Sequence, residues 1–154
     1  MTNSVDSTTS QGRETHTSAM QSDSSENLLQ ALAARPNAVR WKMALTGEIT
    51  DIGDAIYQVR GLTPAQAKTQ PVDQIHPPAS LQISLDYFER FSRALLEGRV
   101  PESFHADLEY FHADGSTVLC EVMALPIVDD LGAVVGLVGV SVPTGKTAGE
   151  PALN

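Results

Sequence analysis

The sequence predicts an α+β fold, a five-stranded antiparallel sheet with helices on one face. Three observations predict it: apolar and polar residues alternate near both ends of the folded region, short turns join these runs into hairpins, and helical spacing dominates between them. Strands joined by tight turns are antiparallel neighbours. Helices set between two hairpin groups cover a sheet face. A chain of 154 residues has room for one domain and tails. The expected organisation is a disordered tail over 1–25, a flanking helix over 26–36, the folded domain over 37–143 and a second tail over 144–154.

Residues 1–25 are Ser, Thr, Gln and Asn with almost nothing apolar, too little to offset ordering entropy. Glu26 to Ala34 carries strong helix formers, with Leu28, Leu29 and Leu32 on one side; Asp23 and Glu26 suit a capping start, and Arg35-Pro36-Asn37 is a stop. Trp41, Met43 and Leu45 alternate with Arg40 and Lys42 as a half-buried strand, and Ile49 to Ile52 returns as its hairpin partner after Thr46-Gly47-Glu48. Asp54 to Val59 is a short helix closed by Gly61, which can adopt the left-handed conformation. Thr63-Pro64-Ala65-Gln66 combines an N-cap, a first-turn proline and a capping-box Gln.

Prolines 71, 77 and 78 mark a loop, and Ser80 is the expected cap of a long helix to about Glu97. Leu81, Leu85, Phe88, Phe91 and Leu95 recur at helical spacing in it. Phe104, Ala106, Leu108 and Tyr110 alternate with His105, Asp107 and Glu109 as the third strand. Asp114-Gly115 turns into Thr117–Val128, and Asp129–Gly132 leads to Ala133–Val142. That last strand is apolar on both faces. One phase faces the helices; the other needs a cover, the N-terminal helix or a second copy of the chain.

The net charge of −9, with no cluster of Lys and Arg, argues against nucleic-acid binding. No run approaches the roughly 20 apolar residues of a membrane span, so no membrane partner is expected. The N-terminus has no secretory pattern. Cys120 is the only cysteine, which suits a reducing, cytoplasmic setting.

Several segments in order resemble the PAS family over residues 39–142. They are Gly47-Glu48-Ile49-Thr50-Asp51, Ala55 to Pro64, Ile75-His76-Pro77, Tyr110 to Ser116 and Asp130 to Ser141. The chain departs from the family pattern at Gly53, where Asn is frequent, and at Ala67-Lys68-Thr69, where a Gly is common. The resemblance implies a sensor or adaptor in signal transduction, acting by small-ligand binding, homodimer contacts or a signalling-protein partner, and not an enzyme. The segment after Val142 holds no kinase, cyclase or DNA-binding sequence, so output is expected through a partner. The implied ligand pocket is lined by Ile56, Phe88, Phe91 and Leu108. The implied dimer or partner face comprises Leu28, Leu29, Leu32, Val138 and Val140.

The sequence assigns no catalytic residue and no metal, and it leaves the identity of any cofactor unknown. Cys120 is expected to pack as a small hydrophobe. Haem would have only His76 or His105 to bind it, because the long helix contains no His; flavin is disfavoured, since the only Trp is Trp41. His105, Asp107 and Glu109 share one strand face, which suits a solvated surface better than a metal site. Gly145-Lys146-Thr147 lacks the upstream Gly and the following helix of a phosphate loop. Two other readings stand beside the sensor: a small cone-shaped α+β enzyme of isomerase or hydratase type, which would need Asp107 and His105 in one deep cavity, and a ligand-free dimerisation module.

Overall fold

A computed structural model describes residues 24–145 of the chain. The tails expected at 1–25 and 144–154 fall largely on 1–23 and 146–154, outside the described residues. Helix α1 spans 24–33. It is followed by strands β1 (Val39–Ala44) and β2 (Ile49–Ile52), helices α2 (Ile56–Arg60) and α3 (Pro64–Lys68), a 3-10 turn at Val72–Gln74, and the long helix α4 (Pro78–Leu96). Strands β3 (Phe104–Phe111), β4 (Thr117–Val128) and β5 (Val134–Pro143) complete the order. The sheet order is β2-β1-β5-β4-β3, and every neighbouring pair is antiparallel. The expected fold class is the observed one.

Local chemistry explains the short elements. Gly61 takes φ 73°, and its N–H caps α2 by donating to Tyr57 O, a conformation that costs a β-carbon-bearing residue more than Gly. Thr63 and Gln66 form the expected reciprocal capping box around Pro64.

The start of α4 differs from expectation. Pro77 is its N-cap, with Pro78 in the first turn and no side-chain cap. Proline at the first helical position is preorganised and lacks an N–H that would need a partner, so the proline pair opens this helix. Ser80 is a buried first-turn residue whose Oγ accepts from the Glu109 N–H at 2.8 Å, tying α4 to β3. The buried stripe of α4 also shifts: Ser80, Tyr87, Phe91 and Ala94 point inward, while Leu85 remains 45% exposed.

The sheet has an apolar cluster on each face. Between sheet and helices lie Val39, Ile56, Val59, Tyr87, Phe91, Leu108, Cys120, Val122 and Leu137. Behind the sheet, Met123, Leu125, Val140 and Val142 pack with Leu32, joined by Leu29, Ala33 and Val138. The second apolar phase of β5 is therefore covered by α1, the first of the two covers anticipated for it. Arg35, just past α1, pairs with Glu121 of β4 at 3.2 Å. Among the described residues no helix is long and apolar enough to cross a membrane.

Candidate functional site

A cavity of about 370 Å³ lies between the front of the sheet and α2–α4, within the size range of small-ligand sites. Strand alternation builds its floor: Val39, Trp41, Met43, Leu137 and Ser141 project from β1 and β5, and Leu108, Tyr110, Cys120, Val122 and Ala124 from β3 and β4. Ile56, Val59 and Phe88 close it from the helices, and Gly47, Glu48, Lys68 and Val72 form its exposed rim.

Of the expected pocket residues, Ile56, Phe88 and Leu108 line this cavity. Phe91 does not. It is buried against Tyr87, their ring centroids 6.0 Å apart, because one helical turn beyond Phe88 carries it past the end of the cavity. Tyr87, passed over in the helical stripe, lines the cavity instead and donates its hydroxyl to Glu102 O at 2.7 Å. Leu32 and Val140, expected on a dimer face, are 2% and 0% exposed, packed together where α1 meets the sheet. Leu29 and Val138 flank that contact, and Leu28 remains 38% exposed.

A hydrogen-bonded set of polar groups converges on the apolar wall. Arg60 is 3% exposed; its Nε donates to Phe111 O and its Nη2 to Gln70 Oε1, both at 2.8 Å. Its guanidinium lies 5.5 Å from the centre of the Tyr110 ring. The Tyr110 and Ser141 hydroxyls are bonded at 2.8 Å, and Trp41 Nε1 donates to the same Ser141 oxygen at 3.1 Å. His76 Nδ1 donates to Glu109 O at 2.8 Å, and its ring lies 4.5 Å from that of Tyr110. Sequence reasoning missed Arg60 and Ser141. A basic residue in the last turn of a helix ordinarily complements the dipole at the surface, and a serine in an apolar strand carries no signal of its partners.

Burial raises the Tyr110 phenol well above its ordinary value and pushes the Cys120 thiol up to about 12. Both are neutral at physiological pH, and Cys120 is no nucleophile. Burial lowers the Arg60 guanidinium below its ordinary value, but arginine keeps its charge in proteins.

Burial also lowers His76 below 6.5, its hydrogen bond to Glu109 O opposing the shift and the nearby Arg60 charge adding to it. The folded protein thus holds this ring neutral where the unfolded chain begins to protonate it. The stability from the depressed value is present above pH 6.5 and is lost as the pH falls from there towards the folded value. Glu121, held below 4.5 first by the His105 hydrogen bond, titrates in a more acid range. Urea unfolding at pH 7.5 and 5.5 should show a falling free energy for the native chain and a flatter profile for His76→Gln. Equal slopes would remove His76 from this role.

His105, Asp107 and Glu109 lie on the back of the sheet, opposite the cavity. His105 bonds Glu121 at 2.8 Å, Asp107 stands across from Glu121 in the strand register, and Glu109 accepts from Thr117 at 3.1 Å. Among the described residues no group of three His, Cys, Asp or Glu side chains could hold a metal ion. The Lys146-Thr147 pair lies outside the described residues.

No protein-family model matches the sequence, and no curated protein matches it. Solved structures do. The chain is similar to the PAS domain of a Colwellia psychrerythraea protein, with 21% identity and a TM-score of 0.55, over 77% of this chain and 94% of that one. It is similar to a domain of a protein described as a light and redox sensing histidine kinase from Haloarcula marismortui, with 18% identity and a TM-score of 0.51, over 77% and 98%. A light-oxygen-voltage domain studied with a flavin analogue superposes at 16% identity and a TM-score of 0.52, over 78% and 86%. Strand order, helix placement and these superpositions agree: the chain is a PAS-fold module.

Proposed function

We propose that this module senses a small molecule held in the cavity and passes occupancy to α1 through β5. The observation that carries the reading is the two-faced use of β5. Leu137 and Ser141 line the cavity, and the alternate residues Val138, Val140 and Val142 hold α1 on the opposite face. A ligand that shifts β5 acts on both faces, because packed interiors transmit displacement rather than absorb it. Release of α1 would uncover an apolar sheet face fitted to a second copy of the chain or to a signalling partner.

The reading is non-enzymatic. The cone-fold alternative needs Asp107 and His105 inside a deep cavity, and they stand exposed on the other face. Residues 37–143 would form the sensing unit and the segment before them the output element.

Native mass spectrometry of the purified protein, with its absorption spectrum, tests this reading. A non-covalent small mass is expected, whose removal increases amide exchange in residues 24–33. A protein with no bound mass, unchanged in Tm by any member of a metabolite panel, would leave the ligand-free dimerisation module in its place.

A further inference from the structure

We propose that the cavity takes a small monocarboxylate, its acid group paired with Arg60 and its apolar body against Ile56, Leu108 and Leu137. This rests on the ligand-binding reading above and names the class of ligand.

Arg60 is the buried arginine of the described residues, and among them no carboxylate pairs with it. Among the other arginines of the described residues, Arg35, Arg90, Arg93 and Arg99 each pair with a glutamate, and Arg40 stands exposed to water. Arg60 is the one among the described arginines whose charge is buried, with neutral acceptors and the Tyr110 ring around it but no carboxylate, where desolvation is expensive. The neutral oxygens of Phe111 and Gln70 occupy Nε and Nη2, and Nη1 takes no hydrogen-bond partner among the described residues. The two acidic groups nearest in chemistry cannot supply the counter-charge, since burial holds both Tyr110 and Cys120 protonated.

The remaining wall is apolar, with Ile56, Leu108 and Leu137 among the buried residues that line it. One fixed positive charge beside an apolar volume matches one negative charge on an apolar body. A phosphate dianion would carry in a second charge with no buried cation to meet it, because Lys68 stands at the exposed rim and the neighbouring His76 is held neutral. A guanidinium with a free N–H is suited to carboxylate recognition by a charge-assisted hydrogen bond.

The test compares 3-phenylpropionate with its neutral amide, 3-phenylpropionamide, by isothermal titration of the full chain at pH 7.5. Fluorescence of Trp41, which lines the cavity and is the only Trp of the chain, serves as a second reporter. The acid should bind at least about tenfold more tightly than the amide to the native chain. Arg60→Met should abolish that preference while still binding the amide, and Arg60→Lys should retain part of it. Near-UV circular dichroism establishes that each variant is folded; the acid-to-amide ratio of the native chain decides the matter even where a variant is not. Equal affinities for acid and amide in the native chain, or a preference that survives Arg60→Met, would overturn the pairing and leave the sensing reading intact. Failure of both compounds to bind at millimolar concentration would overturn the pairing, and with no bound mass in the purified protein it would take the sensing reading with it.

Discussion

Leu32→Asp should release α1 from the sheet and drive the chain to self-associate. Leu32 is 2% exposed and meets Met123, Leu125, Val140 and Val142, themselves 8% exposed or less. A carboxylate placed there has no partner, because the nearby Arg35 is engaged by Glu121. An unpaired buried charge costs more than the contact it replaces, so the helix leaves instead of burying it. Loss of a buried leucine contact of this kind removes about 3 kcal/mol. A helix this short does not persist alone in water. The sheet face it uncovers is contiguous and apolar, the kind of surface that pairs with another. Amide exchange should show residues 24–33 losing protection while β3–β5 keep theirs, and sedimentation should show a heavier species. The same charge on the sheet, Val138→Glu, should also loosen α1 but associate less, since the uncovered face then carries a carboxylate. Unaltered exchange and sedimentation for Leu32→Asp would mean that α1 is not held by this face.

Much of the fold was legible because its signals are local. Strand β4 runs over Thr117–Val128, where the flanking turns place it, and Thr63 with Gln66 marks the start of α3 from four residues alone. The cover for the second phase of β5 could be narrowed to two candidates but not chosen, because periodicity shows that a face is apolar and not what meets it. The beginning of α4 was misplaced because proline signals both a loop and a first helical turn, and only the backbone tells them apart.

The candidate site was legible in its apolar part only. Ile56, Phe88 and Leu108, the pocket residues the resemblance implies, all line the cavity. Phe91 belongs to the same helical stripe as Phe88 and packs one turn beyond Tyr87 on the buried face, yet where the cavity ends along α4 is a matter of tertiary packing that spacing does not show. The polar part joins residues distant in the chain: Trp41 to Ser141, Arg60 to Phe111, His76 to Glu109. No local pattern encodes such pairs, because each is a product of tertiary register.

Gly136→Ala should destabilise the chain more than other single additions to the sheet, because of where its new atom would sit. Gly136 pairs with Ala44 of β1 and with Ile127 of β4, at the middle of the sheet order. A β-carbon there would lie 2.6 Å from the Met43 carbonyl oxygen, with Ile127 Cδ1 at 3.8 Å. The Met43 oxygen is backbone and cannot rotate aside as a side chain can. Relief requires β1 to move from β5, which weakens ladder bonds and deforms the floor of the cavity, since Met43 and Leu137 both line it. Overpacking against a rigid neighbour sits at the upper end of its usual range, about 3 kcal/mol. For a domain of this size that is a fall in Tm of roughly 10 °C. Gly139→Ala is the informative contrast. Its β-carbon would meet the ring of Trp41, a side chain that can swing away while forfeiting its hydrogen bond to Ser141, so a smaller loss is expected. Urea unfolding of both variants beside the native chain measures the difference. A Tm for Gly136→Ala within about 2 °C of the native value would show that β1 and β5 part at little cost, and a strand pair that yields so easily could not carry a signal from the cavity to α1.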